Sequence, residues 1–163
     1  MIDNAPQVAD GNERQQEVAS LMIPLAGRVL LVPTVTVAEM APYVSPEQEA
    51  DSPDWFLGYY RWREQRVPLL SFEVLNGEAL PAPLPQSRVA VFNNTGVSDD
   101  LPFIAVATQG IPKLARVNAE EISELEDATK KPFDTMQVSL AGEEAVIPNV
   151  TALEQVYLDW RKS

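Results

Sequence analysis

The chain has 163 residues, 45% of them apolar, no cysteine, no histidine and a formal net charge of −12. That length supports one domain with a proper core, or two very small lobes sharing one, and the missing residue types exclude disulfides, thiolate chemistry, histidine triads and most zinc or non-haem iron sites. A field this negative repels phosphate backbones and anionic lipid, which excludes nucleic acid as a favoured partner.

Residues 1–18 read as a flexible acidic arm, without periodicity and without the basic-then-apolar pattern of a signal peptide. The chain also lacks an apolar run of roughly eighteen residues, so the expected location is cytoplasmic, with no direct membrane insertion. The segment LMIPLAGRVLLVP then gives two apolar runs broken at Ala26-Gly27, the spacing of a hairpin with glycine in its turn. A third strand is expected next, with Val35, Val37 and Glu39 on one side and Thr34, Thr36 and Ala38 on the other.

Pro42 to Pro53 is rich in proline and acid and predicts an exposed loop. Ser52-Pro53 has the pattern of a helix start, so one helical turn over Asp54 to Leu57, ended by Gly58, is expected. YYRWR and RVPLLSF follow as strands, with Glu64-Gln65 as their turn. FEVL reads as a second helical turn stopped at Asn76-Gly77. Residues 78–87 carry three prolines and no periodicity, which marks the best internal connector.

RVAVF, PFIAVA and IPKLARV continue the β pattern, the first two separated by the turn cluster NNTGVSDD. Asn118 and Glu121 have capping-box spacing and open an acidic turn, EEISELE. TMQVSL, AGEE and AVIP form a further hairpin. Thr151 and Glu154 give a second capping box, opening a terminal helix in which Leu153, Val156, Tyr157 and Trp160 make one apolar stripe for docking on the β core. The class is therefore mainly β. Many short strands in so few residues favour small barrels, which leave few open edges, and no long crossover helix is present for parallel βαβ units.

Catalytic chemistry finds little support. The 7 glycines form no phosphate loop, and serines and threonines have no histidine to activate them. Lys130-Lys131 sits in a polar loop, a weak setting for a Ser-Lys mechanism. The pairs Asp99-Asp100, Glu120-Glu121 and Glu143-Glu144 are neighbours in turns, where solvation explains them better than acid/base work or calcium. A carboxylate hydrolase thus lacks a motivating feature, and the chain reads as a binding module with no cofactor and no metal.

One segment is out of place. Arg61, Arg63 and Arg66 gather three of the chain's 12 basic residues within six positions, interleaved with Tyr59, Tyr60 and Trp62. Large rings and planar guanidinium groups dominate binding hot spots. The plainer reading is a strand with aromatic residues inward and arginines paired to the acidic loop before it. Both hold together if Tyr60 and Trp62 are core while Arg61 and Arg63 face outward.

The register GYYRWREQRVPLL places Gly58, four residues, Arg63, four residues, then Pro68 and Leu69-Leu70. It resembles the signature of CheW-like domains, in which a glycine, an arginine five residues on and a proline-led strand follow a short helical turn. VTVAEMAPY, with Val37 and Glu39, is similar to that family's segment before its first long loop. PFIAVATQGIPKLARVNAEEI and VSLAGEEAVIPNVTALEQV resemble its later strands and closing helix, so the resemblance spans residues 19–160. Two positions depart from the pattern. Glu64 stands where relatives usually have glycine, and Ser71 where they usually have aspartate.

The resemblance implies a single domain over residues 19–160, built as two five-stranded SH3-like barrels around a shared hydrophobic junction. It implies an adaptor without catalysis that couples the cytoplasmic tips of methyl-accepting chemoreceptors to the regulatory domain of a CheA-type histidine kinase. Val37, Glu39, Gly58, Arg63 and Pro68 are its candidate partner-binding residues, with Arg63 either structural or in direct contact. The acidic arm and the missing glycine further resemble auxiliary adaptors, ChpC among them, of systems controlling type IV pili and twitching. The alternative from a different binding class is an SH3-like barrel that captures a proline-rich or acidic peptide on its aromatic strand in another signalling pathway.

Overall fold

A computed structural model describes residues 17–126 and 128–163, so the expected arm lies almost wholly outside the described residues. The chain runs β1 (Val18–Pro24), β2 (Val29–Pro33), a 3-10 turn (Thr34–Thr36), β3 (Val37–Pro42), β4 (Phe56–Trp62), β5 (Gln65–Leu70) and α1 (Phe72–Leu75). It continues through β6 (Arg88–Asn93), β7 (Phe103–Ala107), β8 (Lys113–Val117), β9 (Ile122–Glu124), β10 (Asp134–Leu140), β11 (Glu143–Pro148) and α2 (Val150–Lys162). The fold is mainly β, as expected, in two barrel-like lobes.

The first lobe is a six-stranded sheet ordered β8-β1-β2-β11-β10-β9, and the second a five-stranded sheet ordered β3-β6-β7-β5-β4. The first therefore has one strand more than expected, because ISE of the acidic turn extends and pairs with β10. Most pairs are antiparallel, but each sheet contains one short parallel pair, β2 with β11 and β5 with β7. The first sheet takes strands from both ends of the chain, and the second is inserted between them. The chain crosses from one to the other at Thr34–Thr36 and again between β7 and β8. Residues 78–87 instead join α1 to β6 within the second lobe.

Successive side chains on a strand point to opposite faces, and on the central strands both faces are covered. On β6, Val89 and Val91 fill the second barrel with Tyr60, Trp62 and Leu69, while Ala90 and Phe92 turn to the junction between lobes. On β1 and β2, Met22 and Leu31 fill the first barrel, while Ile23 and Leu30 face the junction. The junction draws Ile23, Leu30, Phe56, Leu70, Phe72, Phe92, Ile104, Val146 and Leu153 into one cluster from both sheets and both helices. The stripe on α2 docks there as expected, with Leu153 fully buried and Val156, Tyr157 and Trp160 packed beside it.

Several local expectations shift. The first hairpin turns at Gly27 as read, with φ +76°. Thr34–Thr36 tightens into the 3-10 turn, so the third strand starts only at Val37. No helix forms after Ser52-Pro53: the Phe56 N–H bonds the Pro53 carbonyl to close a turn, and the chain extends directly into β4. Asn118 caps its turn, accepting from the N–H groups of Glu120 and Glu121, although no helix follows. The α2 cap is Asn149, which accepts from Ala152 N–H. Thr151 and Glu154 are instead spent on tertiary bonds to Thr95.

Candidate partner-binding surface

β3 and β4 are the outer strands of the second sheet, and its curvature brings them face to face. Side chains close the gap that backbone pairing leaves open. The Tyr60 hydroxyl donates to the Pro42 carbonyl. Trp62 Nε1 donates to Glu39 Oε1 at 3.0 Å, and Arg63 Nη2 donates to the same oxygen at 3.1 Å. The Arg63 guanidinium also lies over the Trp62 ring, 4.7 Å from its centroid, a cation–π contact. Burial pushes the Tyr60 phenol above its ordinary range, with the Glu39 charge adding to it, so the group stays neutral and able to donate.

The alternation along β4 decides which residues face out. Tyr60 and Trp62 are buried, and Arg61, Arg63, Glu64 and Arg66 are exposed. Trp62 pairs with Gln65, so the hairpin turns on Arg63-Glu64, one residue earlier than expected. Both turn residues have positive φ, 49° and 64°, the backbone of a type I′ turn. Arg63 therefore projects from the tip of the hairpin, its side chain 66% exposed, against 39% for Glu39.

Arg61 and Arg66 are direct cross-strand partners of like charge. Glu47 of the acidic loop bonds Arg66 at 3.1 Å, and Arg66 lies 4.2 Å over the Tyr59 ring, which offsets that repulsion. The pairing of arginines with the preceding loop is thus present at Arg66, while Arg63 pairs back to β3.

The five candidate residues divide into two sets. Glu39 and Arg63 meet directly, and Val37 lies just along β3, half-buried against the junction across a bulge. Beside it Val35 is 80% exposed at the crossing between lobes. Gly58 and Pro68 are both buried. A Cβ on Gly58 would fall 2.5 Å from the Glu47 carbonyl oxygen, and its φ is +133°. Its bareness lets Tyr59 exchange both backbone bonds with Glu47, each 2.9 Å. Pro68 sits opposite Tyr59 on β5. These two shape the hairpin and its covering loop and present no open surface of their own. Trp62 is a core residue, as its place in the strand alternation implied, and it also carries both Glu39 and Arg63. The indole beside the arginine was visible in the sequence, but its partner 23 residues upstream was not.

Among the described residues, no group of three or more acidic side chains is arranged to hold a metal ion. No helix there is long and apolar enough to cross a membrane. A family profile described as the CheW-like domain matches residues 19–156. A crystal structure of the scaffolding protein TtCheW from Thermoanaerobacter tengcongensis is similar in fold, with a TM-score of 0.69 at 13% identity, covering 82% of this chain and 89% of that one. No curated protein matches the chain.

Proposed function

The chain belongs to the CheW-like domain family, whose members are non-catalytic adaptors of chemotaxis, and from that membership we propose that it couples methyl-accepting chemoreceptors to a CheA-type histidine kinase. In this reading it works in the cytoplasm, joining receptor tips to the kinase regulatory domain and so controlling motility, by flagellar chemotaxis or by pilus-based twitching. Residues 19–160 act as one domain, with the preceding arm outside it.

The observation that carries the reading is the seam between β3 and β4. Two residues singled out by the family pattern, Glu39 and Arg63, lie 24 positions apart and meet at 3.1 Å on an exposed surface, held by Trp62. An exposed ion pair contributes at most about 1 kcal/mol to folding, so stability alone is a weak reason for this arrangement. A preorganised guanidinium on an aromatic ring is a strong element of a binding surface. Val37 and Val35 extend the surface towards the lobe junction with apolar contacts, and Gly58 and Pro68 contribute by fixing the hairpin.

The test is Arg63→Glu, assayed by co-sedimentation with receptor-containing membranes and the kinase. Binding is expected to fall to background while the melting temperature moves by no more than about 2 °C, since the side chain is mostly in water. Unfolding of the variant, or undiminished co-sedimentation, removes the assignment. An affinity pull-down with the native chain identifies the receptors and the kinase, and with them the motility pathway. Recovery of proline-rich or acidic peptides without either partner would favour the peptide-binding alternative.

A further inference from the structure

At the start of β4, the end away from the Arg63 hairpin tip, the loop of residues 43–54 and the proline-rich segment 80–83 border a cleft of about 370 Å³. That is within the roughly 300–1,000 Å³ typical of small-ligand sites. Pro53, Phe56, Leu57, Leu80 and Pro81 line it, together with the largely buried Glu73 of α1. Two features make the cleft more than a gap in the packing. Glu73 is only 4% exposed, yet its carboxylate has neutral partners alone: the Ala26 N–H at 3.2 Å and the Ser71 hydroxyl at 3.4 Å. No lysine or arginine lines the cleft, whereas Glu49 and Asp54 do.

A buried carboxylate without a cation is costly to a fold. Burial, as the largest cause, holds the Glu73 carboxyl above its ordinary range, and the nearby Glu78 charge adds to this against the bonds from its own backbone, Ala26 and Ser71. The apparent counter-charges nearby are already engaged: Arg161 is bonded to Glu49, Lys131 to Glu78 and Arg28 to Asp134. The proline, leucine and phenylalanine side chains that line the cleft suit a short hydrocarbon stem.

We propose that this cleft binds an organic cation, an ammonium or guanidinium on a short aliphatic stem, with the charged head against Glu73 and the stem between Leu57 and Leu80. Such a head is carried equally by a free aliphatic amine and by a basic side chain of a partner. The inference does not depend on the adaptor reading, because neither Glu39 nor Arg63 lines the cleft.

The test is an amide-resolved NMR titration of the full chain with agmatine, with a capped arginine amide, and with pentanol as the uncharged control. Saturable shifts at Leu57, Ser71 and Thr108 are expected with a cation and not with the alcohol. Glu73→Gln keeps an acceptor for Ala26 and removes the charge, and should weaken binding at least about tenfold. Ala107→Leu narrows the cleft while leaving Glu73 in place, should likewise weaken binding, and decides the matter if the first variant does not fold. Tighter binding of agmatine assigns the site to a free amine, and tighter binding of the capped arginine assigns it to a partner side chain. Absence of saturable shifts with both cations, or equal affinity in the folded variants, overturns the proposal.

Discussion

At the scale of single residues, the two departures from the family pattern have separate physical readings. Ser71 precedes α1, and its hydroxyl accepts the Val74 N–H at 3.2 Å. Serine and aspartate cap helices about equally well, so an aspartate at this position could accept the same Val74 N–H. Glu64 differs. It holds φ +64° as the second residue of the Arg63-Glu64 turn, a conformation that glycine adopts freely and a Cβ resists. Glu64→Gly should stabilise the chain by about 0.5–1 kcal/mol, the relief of strain exceeding the added flexibility of the unfolded chain. Chemical denaturation would register this as a higher midpoint at unchanged slope; a lower midpoint would show the strain to be absent. Sequence reading reached Gly58 and Arg63 as special positions, yet it misplaced the turn by one residue, because Glu64-Gln65 is as polar as Arg63-Glu64. Nor could it find the Glu47 carbonyl over Gly58, a contact set by a loop with no periodic signal.

At the scale of elements, strong periodicity survived contact with the structure and capping signals were redirected. The hairpin at Gly27, the strands RVAVF and PFIAVA, and the apolar stripe of α2 follow from local patterns that tertiary packing reinforces. Thr151 and Glu154 had the spacing of a cap, but Asn149 starts the helix earlier and frees them. Glu154, 1% exposed, reaches across to accept from the Thr95 N–H and hydroxyl, fastening the loop between β6 and β7 to α2. Glu154→Ala would leave the Thr95 N–H unpaired at a partly buried site and should cost about 2–3 kcal/mol. Its helix content by circular dichroism should persist, because the Asn149 cap remains, while amides of residues 94–98 exchange faster with solvent. Loss of the helical signal would instead place Glu154 among the determinants of α2 itself. The mistaken helix at Ser52-Pro53 has a related cause: a proline in a turn reads locally as a helix start, and only pairing with β5 fixes Phe56 in a strand.

At the scale of the whole molecule, the interlaced chain path makes the junction between lobes the unit of stability, and one buried cluster of polar groups locks it. Asp134 on β10, its side chain fully buried, takes both Arg28 nitrogens, at 2.7 and 3.1 Å. It also accepts from the Asn76 amide at 3.0 Å, and Asn76 in turn accepts the Phe133 N–H at 2.8 Å. Asn76 follows α1 of the second lobe, and Arg28 and Asp134 belong to the first, so the cluster ties the lobes together at their edge. Little of this was legible beforehand, since 106 residues separate Arg28 from Asp134 and no local pattern links them. Burial alone would raise the Asp134 carboxyl, but the Arg28 guanidinium, the Lys131 N–H and the Asn76 amide outweigh it and hold the group below its ordinary 3.8. A carboxylate depressed in the folded state contributes stability that is fully present above its unfolded value and lost as pH falls through the folded one. The native chain should therefore lose stability on acidification below about pH 4. Asp134→Asn should flatten that part of the acid profile, and at neutral pH it should cost about 3–5 kcal/mol, because Arg28 is left largely buried without its counter-charge. Urea denaturation of both proteins across pH 2–7 would check the sign. An equal acid slope in the two would show that other carboxylates, not this interlobe pair, govern the response of the fold to acid.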